Sequence, residues 1–305
     1  MGLRPLAERY ADRLPLPKDA AIVSLGEGST PLLPAPRIGA RVGAEVFLKW
    51  EGANPTGSFK DRGMTVAVTQ ALADGARAVV CASTGNTAAS AAAYAARAGL
   101  EAVILQPEGG VARGKLAQAR AVGAKVEVRP SFEEALAEAK ELEARGTHVL
   151  VNSLNPLRLQ GQKTAAFEIV EELGSAPDIL ALPYGGGGNL CAYALGFGEE
   201  GAGVPRLIAA EAANRAGTVA SAIRISEPPH AEDARRAVED SGGAVVPLDD
   251  TAILEAWELL AREEGVFCEP SSAAGLAALF TDPPGNARVV CVVTGHGLKD
   301  PDSVA

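Results

Sequence analysis

The chain predicts an α/β protein built on parallel sheets, and three observations carry that reading. Short apolar runs of strand length alternate with longer stretches of helical periodicity along most of the 305 residues. The connections between them are short and contain glycine or proline. Apolar residues make up 47% of the chain and aromatic residues only 4%, which suits alanine-rich helices packed closely on strands. The length allows two modest domains or one large one.

Taken in order, the first informative block is Asn54-Pro55-Thr56-Gly57-Ser58-Phe59-Lys60-Asp61-Arg62-Gly63-Met64. Pro55 and Gly57 are turn residues and Ser58 is a candidate N-cap. Met64, Val66 and Leu72 continue as the apolar stripe of an amphipathic helix that opens near Lys60. The apolar run 78–82 reads as a strand and the alanine-rich run 88–98 as a helix, with Ser83-Thr84-Gly85-Asn86-Thr87 as the polar loop between them. Strands at 101–106, 125–129 and 147–151 then alternate with helices at 112–122 and 132–145. Asn155-Pro156 turns the chain into a helix running to Glu172. A strand at 179–182 leads through Gly185-Gly186-Gly187-Gly188-Asn189 into a helix at 190–197. The run 289–293 ends in Thr294-Gly295-His296-Gly297. Parallel α/β sheets bind ligands at the carboxyl ends of their strands, and three of these loops follow strand ends.

Composition narrows the partners. A formal net charge of −10 disfavours nucleic acid and anionic membrane surfaces. Arg97 and Glu101 interrupt the most apolar runs and no leader-like segment opens the chain, so neither export nor membrane insertion is expected. Cys81, Cys191, Cys268 and Cys291 form no close pair and read as free thiols, and His148, His230 and His296 are too far apart in sequence to suggest a metal site. Gly109-x4-Gly114-Lys115 imitates a phosphate-binding P-loop but places Leu116 where a hydroxyl is needed, which excludes it.

The chemistry gathers around Lys60. Packing and a helix start both disfavour its ammonium, so its neutral amine is available for Schiff-base chemistry with an aldehyde. The alternative is an idle, solvated lysine. The glycine run lets backbone amides wrap a small anion ahead of a helix. A lysine, an asparagine, a phosphate cradle and a strand-end hydroxyl form the inventory for holding pyridoxal 5′-phosphate.

The chain resembles the threonine synthases, within the tryptophan-synthase-β (fold type II) group of pyridoxal-phosphate enzymes. Glu27-Gly28-Ser29-Thr30-Pro31-Leu32, the Lys60 block, the loop Ser83 to Thr87, Asn152-Ser153 with Arg158, Glu269-Pro270 and Thr294-Gly295-His296-Gly297-Leu298-Lys299-Asp300 carry the resemblance in family order. It implies two parallel-sheet α/β domains, with residues 48–146 as a small domain inserted into a large one formed by 1–47 and 147–305, and the cofactor in the cleft between them. It also implies that Lys60 forms the Schiff base and then acts as base. Asn86 would meet the cofactor's 3-oxygen. Gly185, Gly186, Gly187, Gly188 and Asn189 would hold its phosphate, and Thr294 its ring nitrogen. The substrate implied is O-phosphohomoserine, turned with water into threonine and phosphate. Arg158 would grip the substrate phosphate with Asn152, Ser153, Ser83, Thr87 and Asn189, while the loop through Thr84 takes the α-carboxylate. A cytoplasmic homodimer follows from the family. The alternatives are a threonine or serine dehydratase-like lyase and a non-catalytic cofactor-binding protein. The chain departs from the family at Gly186, where asparagine is common, in a shorter segment from Leu190 to Ala222, and at Glu211-Ala212-Ala213-Asn214, where a glutamine-led motif is usual.

Overall fold

The computed structural model describes residues 4–108 and 113–300, with side chains omitted for 113–116. The P-loop-like stretch that begins at Gly109 therefore lies mostly outside the described residues. Ten strands are described: β1 (Leu32–Pro34), β2 (Glu45–Trp50), β3 (Ala78–Ala82), β4 (Glu101–Pro107), β5 (Lys125–Arg129), β6 (Val149–Leu150), β7 (Ile179–Pro183), β8 (Arg206–Ala212), β9 (Ala244–Leu248) and β10 (Arg288–Val293). The chain divides into two compact units, Met1–Ser29 with Asn54–Gln162, and Thr30–Ala53 with Lys163–Ala305. The segment 54–146 of the expected small domain lies in the first unit, which also takes in the first 29 residues and continues to Gln162.

The first unit holds a four-stranded parallel sheet in the order β5-β4-β3-β6. Its central strands are buried on both faces, so their side chains alternate between two cores. Val79, Cys81 and Ile104 pack on one face with Met64, Val68, Ala91 and Tyr94, while Val80, Ala82, Val103 and Leu105 pack on the other with Ala135 and Ala139. Helices Lys60–Ala73 and Asn86–Ala98 thus cover one face and helix Phe132–Ala144 the other.

The second unit holds a six-stranded sheet, β1-β2-β10-β7-β8-β9. All of its pairings are parallel except that of β1, a three-residue edge strand ending in Pro34. Alternation recurs: Ile179, Ala181, Val289 and Cys291 face helices Asp250–Glu264 and Ala274–Thr281, and Leu180, Leu182, Val290 and Val292 face helices Thr164–Leu173 and Gly188–Glu200. The α/β class and the parallel sheets are as the sequence predicts. Among the described residues, no helix is long and apolar enough to cross a membrane.

Lys49 of β2 is fully buried in this unit. Its ammonium lies 2.9 Å from the Glu168 carboxylate and 3.3 Å from Glu172, and donates to the Thr30 carbonyl at 2.7 Å. Helix Thr164–Leu173 is thereby pinned to the sheet by charge as well as by apolar packing.

Candidate active site

In the first unit the turn before Lys60 is drawn tight by its neighbour Asp61. The Asp61 carboxylate accepts the Thr56 N–H at 2.7 Å, the Thr56 hydroxyl at 2.6 Å and the Ser90 hydroxyl at 2.6 Å. Asn54, which opens the turn, accepts the Gly28 N–H at 3.0 Å and so ties the Glu27-Gly28 motif to the lysine block. Lys60 is the first residue of its helix and half-buried, with its ammonium 4.2 Å from the centre of the Phe59 ring. Two expectations need correction here. Ser58 does not cap the helix: Phe59 stands at the N-cap position with no side-chain bond, and the buried Ser58 hydroxyl has no hydrogen-bond partner. Nor is the helix amphipathic. Asp61, Arg62, Thr65 and Thr69 are as buried as Met64 and Val66, and both threonines bond to the backbone of Val23.

The loop after β3 opens at Ser83, whose hydroxyl accepts the Gly85 N–H at 3.1 Å. Helix Asn86–Ala98 starts without a side-chain cap, and its Ala88 and Ala89 N–H groups bond back to the Gly85 carbonyl at 3.1 and 3.4 Å. Asn86 is buried, while Ser83, Thr84 and Thr87 are half-buried. Asn152 bonds Ala82 in both directions, accepting its N–H at 2.9 Å and donating to its carbonyl at 2.8 Å. That geometry gives Asn152 the task of holding the strand end from which Ser83 projects. Ser153 lies one residue on and is half-buried.

Arg158 is in helix Pro156–Gln162 and only 1% exposed, which excludes a surface role. Its Nη1 donates to the Val151 carbonyl at 2.7 Å, but its Nε and Nη2 are buried without a hydrogen-bond partner. Burial pushes the guanidinium down to about 10, with Cys81 and Asp61 acting in the opposite sense. A buried cation with two unmet donors costs several kcal/mol unless an anion meets it.

In the second unit the glycine run lies between β7 and helix Gly188–Glu200. Gly187 has φ +84° and stands at the helix N-cap position, and a Cβ there would lie 2.8 Å from the His230 carbonyl oxygen. At Gly185 a Cβ would meet the Ile223 Cα at 3.1 Å, whereas at Gly186 it would find ordinary contact with Pro229 at 3.4 Å. The helix has no side-chain cap, and the buried Nδ2 of Asn189 has no hydrogen-bond partner. The register that pairs Cys291 with Ala181 carries Thr294 to the level of Tyr184, so hydroxyl and glycine loop leave neighbouring strands at the same end of the sheet. His296 Nδ1 accepts the Leu298 N–H at 3.1 Å, and its ring packs on Trp50 and Phe267.

Two residues contribute without having been singled out in the sequence. Arg215 donates to the Gly185 carbonyl at 3.2 Å and the Ile225 carbonyl at 3.0 Å, and its guanidinium lies 4.8 Å from the centre of the Tyr184 ring. Glu211 pairs with Arg215 at 2.5 Å. Ser272 lies 3.0 Å from the Thr294 hydroxyl. An Arg four residues after Glu at the end of a strand was the only sequence signal for the first pair; a serine in Glu-Pro-Ser-Ser carried none.

Residues 23–295 match the family model described as pyridoxal-phosphate dependent enzyme. The chain is 50% identical to the threonine synthase of Synechocystis sp., over 98% of this chain and 84% of that protein. It is also 50% identical to the threonine synthase of Mycobacterium tuberculosis, over 96% and 88%. The chain belongs to the pyridoxal-phosphate-dependent enzymes, within the threonine synthase family. Its fold agrees with solved fold type II enzymes: maize serine racemase superposes with a TM-score of 0.77 at 24% identity over 96% of this chain and 91% of that one. Serine racemase from Dictyostelium discoideum gives 0.78 at 21%, over 96% and 95%.

The donors fit the cofactor. Gly185 and Gly187 have no room for a side chain, and the uncapped helix with the Asn189 amide supplies N–H groups for a phosphate dianion. Thr294 presents a hydroxyl at a strand end of the same unit; in the first unit, taken by itself, Lys60 opens a helix with an amine of the kind that reacts with aldehydes. Pyridoxal phosphate is the cofactor of this lyase family.

Proposed function

We propose that this chain converts O-phosphohomoserine and water into threonine and inorganic phosphate. The buried, unmet Nε and Nη2 of Arg158 carry the reading. They lie in the same unit as Lys60 and provide the forked donor that a phosphorylated substrate requires and an unphosphorylated amino acid does not. Ser153, Ser83, Thr87 and Asn189 complete the substrate set in this proposal, with Asn152 holding the strand end, and the amides of the Ser83 loop take the α-carboxylate. Asn86 meets the cofactor's 3-oxygen, the residues 185–189 its phosphate, and Thr294 its ring nitrogen.

When bound, pyridoxal phosphate withdraws electrons from the substrate's α-carbon. Lys60 would hold it through its amine, and the same amine, once free, would be the group that moves the protons. It takes the α-proton, and a β-proton follows. Phosphate leaves the γ-carbon, one proton returned there completes a methyl group, water adds its hydroxyl at the β-carbon, and a second proton returns to the α-carbon. One water enters and one phosphate departs. A lysine that both accepts and returns protons works best with its affinity near the ambient pH.

We also place the enzyme in the cytoplasm as a homodimer. Four free thiols, three of them buried, suit a reducing compartment, and dimerisation follows the family. Purified holoenzyme given O-phosphohomoserine should release phosphate and threonine in equal amounts. Arg158→Ala should raise KM far more than it lowers activity on an unphosphorylated amino acid. Ammonia from threonine or serine, with no phosphate release from O-phosphohomoserine, would replace this reading with a dehydratase.

A further inference from the structure

Resting on the reading that Thr294 meets the cofactor's ring nitrogen, we propose that Ser272 is a positioning residue: it turns the Thr294 hydroxyl proton outward and holds that nitrogen unprotonated. Both side chains are buried, at 2% and 5% exposure, and their oxygens lie 3.0 Å apart. A hydroxyl has one proton and two lone pairs, so the direction of each bond is a matter of counting.

Ser272 Oγ accepts the Gly295 N–H at 2.8 Å. It keeps one lone pair and its own proton. That proton has two destinations, Thr294 Oγ1 at 3.0 Å or the Gly295 carbonyl at 3.2 Å. The carbonyl already accepts the Glu269 N–H at 3.1 Å. Thr294 is therefore the closer and less engaged acceptor. Accepting the Gly295 N–H also polarises the serine O–H and makes it a better donor.

With Ser272 donating, the Thr294 proton points away from it. The hydroxyl then meets its ligand as a donor. A neutral pyridine nitrogen, with its lone pair, is the matching partner; a pyridinium, itself a donor, is not. Among the described residues no carboxylate hydrogen-bonds Thr294. The acidic group at this corner is Glu269, buried and packed against Gly295 where a Cβ would collide with it, and His296 follows in the chain. A carboxylate there favours a protonated ring, so the serine acts against it.

The test is the ¹⁵N resonance of pyridoxal phosphate labelled at the ring nitrogen and loaded into the holoenzyme, followed through a pH titration. The wild type should show an unprotonated nitrogen at neutral pH. Ser272→Ala should raise the nitrogen's apparent pKa by about one unit, the roughly tenfold effect of one neutral hydrogen bond. Ser272→Cys keeps the shape with a weaker donor and should fall between them; it carries the test if thermal melts show that the alanine variant does not fold. A purely structural serine would lower the melting temperature and leave the resonance where it was. If Thr294→Ala shifts the resonance while both Ser272 variants match the wild type, the role of Ser272 is overturned. If Thr294→Ala leaves it unchanged, the placement of Thr294 fails as well.

Discussion

Arg215 holds the Gly185 carbonyl at 3.2 Å, and so braces the glycine loop from behind, through the backbone. The same guanidinium bonds Ile225 and Glu211, so one side chain joins the loop's first residue to the segment that covers it. Arg215→Ala should loosen the loop and weaken cofactor retention by about tenfold, the scale of one charge-assisted hydrogen bond. Equilibrium dialysis of the cofactor, wild type against variant, measures it; unchanged retention would reduce Arg215 to a surface ion pair.

The glycines differ in what they tolerate. Gly187→Ala meets both a positive φ and the His230 carbonyl, a strain of about 1–3 kcal/mol, and should lower cofactor affinity by about ten- to a hundredfold. Gly186→Asn, which restores the residue common in the family, has room at Cβ and should keep affinity within about twofold, because a site without strain is worth only tenths of a kcal/mol. Titrating both variants with cofactor checks the pair; equal losses would show that the loop responds to bulk alone.

The parallel sheets and their strand-end loops were legible because burial on both faces writes continuous apolar runs such as Ala78–Ala82 and Ile179–Pro183. The helix at Lys60 misled for the opposite reason. Met64, Val66 and Leu72 predict an amphipathic helix, yet the polar Asp61, Thr65 and Thr69 each bond inside the unit, the threonines to Val23 some forty residues away. Polarity in a sequence does not reveal a distant partner. The burial of Arg158 could not be read from its neighbours, which suit a helix start on the surface as well as one in the interior. Ser272 and Arg215 act on other residues rather than as motif members, and no local pattern announces such a role.

Lys49 and Glu168 are both interior, and removing the lysine takes from the buried carboxylate an ammonium 2.9 Å away. Lys49→Met should cost about 3–5 kcal/mol of stability. The double variant Lys49→Met with Glu168→Leu should recover much of it, since an apolar pair of similar volume has no desolvation penalty. Thermal or urea unfolding of the single and double variants makes the comparison, and a double variant as weak as the single would count against the ion-pair account.

His296 sets a pH dependence. Burial lowers its pKa below the usual 6.5, so the unfolded chain binds the proton more readily than the folded one. Its contribution is complete above the unfolded value and is lost as pH falls from there through the lower folded value. Protonation also turns Nδ1 from the acceptor of the Leu298 N–H into a donor. Melting temperature should therefore fall on mild acidification more in the wild type than in His296→Asn, measured from neutral pH downward; parallel curves would remove His296 from the account.

The chain has two tryptophans, and they sit at the ends of one aromatic row, Trp50 on His296, His296 on Phe267, Phe267 on Trp257, with ring centres 5.6, 6.2 and 6.4 Å apart. Every indole therefore belongs to the unit that carries Thr294, and the unit that carries Lys60 has none. Intrinsic fluorescence excited at the red edge watches half of the molecule. A denaturation curve recorded that way follows the melting of one unit, and comparison with the helical signal in the far ultraviolet tells whether the Lys60 unit unfolds in step with it or on its own.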